Sequence, residues 1–210
     1  MRAHAAKIFG VWLTLAAAFG WPAAGQELAP FNAPRPGLAI DFSDGLRMVY
    51  RSTEGSRTTA LVTYPGDTIP YPNVMQDVFW FAQRRSERNE LGFNVRLSGN
   101  ASVWPLQIAK RVDYTYDILV AGKPTGRGKG VLRVLGIERI NVPAGAFSSW
   151  LVETDAESVF DDQRRVRAIQ RYWYVADLGT YVMVERTIIE QGKRSEPQTS
   201  YATRIQQSNQ

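Results

Sequence analysis

From Gly45 onward, apolar and polar residues alternate with a period of two, the spacing of strands that bury one face. The clearest run sets Val112, Tyr114, Tyr116, Ile118 and Val120 on one face against Asp113, Thr115 and Asp117 on the other, which predicts a half-buried antiparallel strand. The same pattern predicts strands over 46–52, 58–64, 78–83, 91–97, 130–135, 139–142, 147–155, 167–175, 180–190 and 199–205. The stretch 73–81 reads two ways. Asn73 is a good helix cap with Val74, Asp77, Val78 and Phe81 at helical spacing, yet Phe79-Trp80-Phe81 is strand-like.

The joints between these runs suit consecutive hairpins. The segment 122–128 is rich in turn formers, and Gln191-Gly192-Lys193 separates the last two strands. In Pro143-Ala144-Gly145, Pro143 fixes φ and Gly145 accepts the left-handed region, which predicts a three-residue hairpin with a bulge. Asp177-Leu178-Gly179 repeats the arrangement, Asp177 being able to bond its own turn. Sequential hairpins with one apolar face must cover that face by curling. The predicted fold is therefore all-β, an antiparallel meander curled into a barrel or half-barrel with little helix.

The start of the chain does not follow this rhythm. Arg2 and Lys7 precede an apolar run over 8–19, and Ala23-Ala24-Gly25 supplies small residues. That is the pattern of a signal peptide cleaved near Gly25 and too short to span a bilayer. The expected organisation is a signal over 1–25, an extended Pro/Ala-rich leader over 26–40, one β domain over 41–206 and a disordered tail over 207–210. The expected destination is periplasmic or secreted, with no transmembrane segment in the mature chain.

Composition narrows the chemistry. The single histidine, His4, lies within the signal and the chain has no cysteine. Nucleophile–imidazole pairs, histidine or cysteine zinc sites, haem ligation and dithiol redox chemistry are thereby excluded from the mature chain, and we expect no cofactor, no metal and no catalytic residue. Glu153, Asp155 and Glu157 share one strand face but lack a calcium-loop pattern. Asp113 and Asp117 are roughly 13 Å apart along a strand, too far for a glycosidase pair. The glycines of 122–130 lack the order of a phosphate loop and open no helix. All three sets read as solvated strand or hairpin residues.

Charge is mildly basic, 25 Lys and Arg against 20 Asp and Glu, and Arg2 and Lys7 leave with the signal. Basic residues cluster at 84–88, 123–129 and in Arg164, Arg165, Arg167 and Arg171, interleaved with acids. No nucleic-acid-binding pattern is present, and nucleic acid is not an expected partner. The hairpin carrying Arg164, Arg165 and Arg167 is a candidate docking surface for an envelope protein partner.

Several motifs resemble a known group. Trp104-Pro105-Leu106, Val112-Asp113-Tyr114-Thr115-Tyr116, Val142-Pro143-Ala144-Gly145-Ala146-Phe147, Val152-Glu153 and the run from Trp173 to Val182 are similar to those of exported bacterial β-sheet proteins classed as a domain of unknown function. The resembling signature is a V-P-A-G-x-F hairpin, a V-E strand and a W-Y-x-x-x-L-G-x-Y-V hairpin, over roughly residues 104–185. The resemblance implies an envelope-associated β protein and carries no catalytic residues. Independently of it, Phe147, Trp173 and Tyr181 flank tight turns where large rings can plug the ends of a curled sheet.

Three function classes follow, in this order. The first is a non-catalytic binding or carrier module that holds a lipid or other apolar or amphipathic envelope molecule against a concave face lined by Tyr114, Tyr116, Ile118, Trp150 and Val152. The second is an assembly protein that docks a partner through sheet edges or basic hairpins. The third is a carboxylate-dependent hydrolase, which would need a buried acid pair.

Overall fold

The structure, a computed structural model, describes residues 27–85 and 90–207. The signal, its cleavage site, Arg88 and residues 208–210 lie outside the described residues. Fifteen strands run in chain order: β1 (Leu28–Ala29), β2 (Leu38–Phe42), β3 (Arg47–Glu54), β4 (Arg57–Thr63), β5 (Tyr71–Gln76), β6 (Trp80–Arg85), β7 (Glu90–Leu97), β8 (Leu106–Gln107), β9 (Arg111–Val120), β10 (Lys123–Val142), β11 (Gly145–Phe160), β12 (Arg165–Val175), β13 (Thr180–Glu190), β14 (Lys193–Arg194) and β15 (Gln198–Gln207). The one helical element among the described residues is a 3-10 turn, Ala176–Leu178.

Twelve of these strands close a barrel. Each pairs antiparallel with its neighbours, and the ring is completed where β15 lies between β2 and β13 and where β13 meets β12. Apolar residues at alternate positions point inward, as in β9, where Val112, Tyr114, Tyr116 and Ile118 are buried while Asp113, Thr115 and Arg111 are exposed. The outer surface carries charge pairs, the reverse of a membrane-spanning barrel, whose apolar band faces out.

One end of the barrel is packed shut. The link between β7 and β9 folds back so that β8 pairs with β1, and Lys110 ties this link together by donating to the carbonyls of Val103 and Pro105, both at 2.9 Å. Trp104 stands at the centre of the plug, with ring centroids 5.2 Å from Phe31, 5.8 Å from Phe79 and 5.3 Å from Tyr174. The segment before β2 crosses the β12–β13 turn, where Asn32 donates its amide to Ala176 at 2.7 Å. Gly179 makes that crossing close. Its φ of 69 is left-handed, and a Cβ there would collide with the backbone of Asn32 and Pro34.

Several expectations are corrected by this arrangement. The barrel begins at Leu38, inside the stretch read as a leader, and Ala29 and Phe31 pack into the plug. Gln207 belongs to β15, so the strand runs into the stretch read as a tail. The ambiguous stretch 73–81 is a hairpin. β5 ends at Gln76, and Asp77, Val78 and Phe79 turn the chain, with φ of 50 at Asp77 and 67 at Val78. Left-handed valine is disfavoured, but burial of Val78 and Phe79 in the plug holds it, together with two bonds to Asp77. Its amide donates to Ser56 at 2.9 Å, and its carboxylate accepts from the Trp104 indole at 3.0 Å.

The joint at Pro143 is also shorter than predicted. Val142 pairs directly with Gly145, so Pro143 and Ala144 alone form the loop. The glycines of 122–130 are mostly strand, since β10 starts at Lys123. Phe147 and Trp173 are half-buried and stand outside the ring cluster of the plug, whereas Tyr181 is inside the barrel, 5.3 Å from Tyr172 and 5.9 Å from Phe42.

Candidate functional site

The side chains of the tyrosine strand decide the interior's shape. Tyr114 and Tyr116 project from β9 onto β10, whose residues directly opposite are Gly130 and Gly128. Each ring lies over its glycine in the space a side chain would take. The Tyr116 hydroxyl thereby crosses β10 and bonds Ser158 of β11 at 2.7 Å. Rings laid flat along the wall fill less of the lumen than rings pointing across it.

The lumen is correspondingly unfilled toward the end opposite the plug. A cavity of about 320 Å³ lies there. Leu91, Phe93, Ile118, Phe160, Val166 and Ala168 make its apolar wall, Phe79 and Trp80 reach it from the packed end, and Tyr114, Tyr116 and Tyr172 also line it. Its polar lining is Ser158, Gln170, Arg84 and Arg186, and no Asp or Glu lines it among the described residues.

The five residues expected on the concave face are all buried in the barrel, but they divide. Tyr114, Tyr116 and Ile118 line the cavity. Trp150 and Val152 pair across to Tyr174 and Tyr172, nearer the plug, and belong to the solid core. The interior phenols are shielded from water, which raises their pKa values; Tyr114 is pushed up to about 12 by desolvation, and desolvation likewise raises Tyr116.

The two interior arginines were not among the expected site residues. Arg84 stacks over the Tyr64 ring at 4.6 Å and donates its Nε to the Tyr64 hydroxyl at 2.8 Å. Asn73 donates to the same hydroxyl at 2.8 Å, which fixes the phenol beneath the guanidinium. Arg186 is reached by solvent through the open end, yet strands surround it. Desolvation lowers its pKa from the ordinary arginine value; Tyr172 acts against this and the like charge of Arg84 adds to it. A signal was present in the sequence, because Arg186 stands between Val184 and Ile188 at the two-residue spacing of an inward face.

The outer face holds the remaining candidates. Arg164 pairs with Glu190 at 3.3 Å and stacks on Phe160 at 4.2 Å, Arg165 lies 3.9 Å from Glu157, and Arg167 holds Asp155 with two bonds of 2.7 and 2.8 Å. Glu153 is shared by Arg133 and Arg171, and Asp113 and Asp117 pair with Arg111 and Arg96. Among the described residues no group of carboxylates is gathered to hold a metal ion. A hollow of about 360 Å³ on this face is lined by Arg96, Asp117, Arg127, Lys129 and Glu157. It is slightly larger than the interior cavity, but its charges are of mixed sign and solvated, where each is worth little.

No family model matches this chain, and no curated protein matches it. Solved structures do. An exported protein with a YmcC-like fold from Bacteroides fragilis aligns with a TM-score of 0.51 and 17% identity, covering 85% of this chain and 100% of that one. A lipoprotein from Parabacteroides distasonis (TM-score 0.47, 13% identity, 86% and 100% covered) and the hypothetical lipoprotein YmcC from Escherichia coli (0.49, 11%, 81% and 89%) also align. The likeness to the first is one of fold.

Proposed function

We propose that this chain is an exported, non-catalytic binding or carrier module that holds an apolar or amphipathic cell-envelope molecule inside its barrel. The observation that carries this reading is the asymmetric interior, packed solid at one end and left with a cavity of about 320 Å³ toward the other. That volume is at the lower end of the range for small-molecule sites, roughly 300–1,000 Å³. Its walls are apolar and aromatic with a few polar groups, the composition of a site that takes a largely hydrophobic molecule. The exported relative in fold supports the compartment. Among the described residues the cavity lining offers a bound molecule no carboxylate to act as general acid or base, which favours holding over chemistry.

A partner-docking role finds less support. Among the described residues, barrel closure leaves only the two-residue strands β1, β8 and β14 with a free edge, and Arg164, Arg165 and Arg167 are already matched by acids of the same surface.

Native mass spectrometry of protein extracted gently from its own envelope tests the proposal, with the Ala168→Trp variant as control. A discrete adduct on the wild type that is lost on filling the cavity is the expected result. An adduct-free wild type, or an adduct that survives in a folded variant, overturns it.

A further inference from the structure

Arg84 and Arg186 stand on β6 and β13, at the two margins of the arc of strands that lines the cavity. On the outer face, Arg47, Arg96, Arg111, Arg133, Arg164 and Arg167 have a carboxylate within salt-bridge distance, and those that have none among the described residues, such as Arg51, Arg57 and Arg139, are exposed to water on a solvated face. Inside, neither Arg84 nor Arg186 has one among the described residues. Arg84 uses Nε and its π-face on Tyr64, which orients the guanidinium and leaves both of its Nη groups without a partner among the described residues. Arg186 makes no hydrogen bond to any described residue. Two like charges facing a cavity with apolar walls repel each other, a cost that a bound anion would offset.

We propose that the molecule held in this cavity is a single-chain amphiphile with an anionic head group, a carboxylate or phosphate, and that Arg84 and Arg186 receive that head while the chain lies against Leu91, Phe93, Ile118 and Phe160. Guanidinium groups match both oxyanions through paired, charge-assisted bonds. A volume near the lower limit for ligand sites suits one chain better than two. This inference rests on the binding reading above and adds the head-group chemistry to it.

The test uses the full mature chain and three probes of equal chain length, dodecanoate, dodecyl phosphate and dodecanol, with binding followed by calorimetry. Vesicles of phosphatidylglycerol make a fourth arm for a two-chain anionic source. The expected result is that one or both single-chain anions bind at least tenfold tighter than the alcohol. Arg84→Gln and Arg186→Gln should each remove most of that preference, weakening binding of the anions far more than binding of the alcohol. Preference for dodecyl phosphate over dodecanoate, or the reverse, identifies the head. Equal affinity for alcohol and acids in the wild type overturns the anionic head and leaves the cavity reading standing. Binding of the vesicles in preference to single chains overturns the single-chain part. Failure of all four probes to bind folded protein removes the binding reading and this inference together.

Discussion

The phenol of Tyr116 occupies the place of a side chain at Gly128, one strand away, and reaches past it to Ser158 on the next. Three adjacent strands are thereby joined through one ring. A methyl at Gly128 would fall inside that ring, so Gly128→Ala should swing Tyr116 into the lumen or distort β10. We expect a loss of about 1–3 kcal/mol, the usual range for overpacking, measured by denaturant unfolding, together with loss of ligand adducts. Gly136, where a Cβ meets nothing within 4 Å, supplies the control, and Gly136→Ala should change stability far less.

The plug depends on Trp104, which contacts Phe31, Phe79 and Tyr174 and donates to Asp77. Trp104→Ala should cost about 3–5 kcal/mol. Trp104→Phe restores the rings but leaves the Asp77 carboxylate without the indole donor, and should recover only part of the loss. A Trp104→Phe variant as stable as the wild type would show that the indole bond contributes little.

Stability should fall in strong acid through Asp155. Hydrogen bonds from Arg167 hold its carboxyl below the ordinary value of 3.8. A carboxyl lowered by folding contributes stability that is complete above its unfolded pKa and is lost as pH falls through the lower, folded value. Chemical unfolding of the wild type from pH 5 downward should therefore steepen below about pH 4, and Asp155→Asn should flatten that part of the profile.

The alkaline limb has the opposite sign. Tyr114 is raised to about 12, and Tyr174 is also raised to about 12, both by desolvation; burial raises Tyr50, Tyr172 and Tyr181 too. A group raised by folding stabilises fully below its unfolded pKa, near 10 for tyrosine, and that contribution disappears as pH climbs through the folded value. The tyrosinate absorbance of these buried phenols should accordingly appear in one cooperative step together with loss of β-sheet circular dichroism, above pH 10. Gradual ionisation of these phenols in a protein whose sheet remains intact would contradict their burial.

The barrel was legible in the sequence because alternation is a local signal and β9 displays it without interruption, from Val112 to Ile118. The turn at Asp77 was not, since it carries no glycine or asparagine, and Val78 adopts a left-handed φ only because the plug buries it. The glycines of β10 read as turn formers for an equally physical reason. Their role is to be absent beneath two rings supplied by another strand, and pairing between strands is not written at either position alone. Trp150 and Val152 are buried, but which buried residues border empty space depends on how rings from elsewhere fill the lumen. Arg186 could have been found by its apolar flanks. Arg84 stood out only as one of the basic cluster at 84–88, and its inward direction was not readable because the irregular pairing between Val74 and Met75 shifts the inward register of β6.

Closure of the ring sets an order on how this protein is made. The seam that joins the last strand to the first lies between β15 and β2, where Thr203 bonds Asp41 across a sequence separation of 162. A chain emerging amino end first has almost all of its strands out before that seam exists. Until then β2 presents an unpaired edge, the exposed template on which strands of other chains can add. Contacts so distant in sequence form slowly, so the interval between emergence and closure is the period in which this protein most needs protection from its own copies.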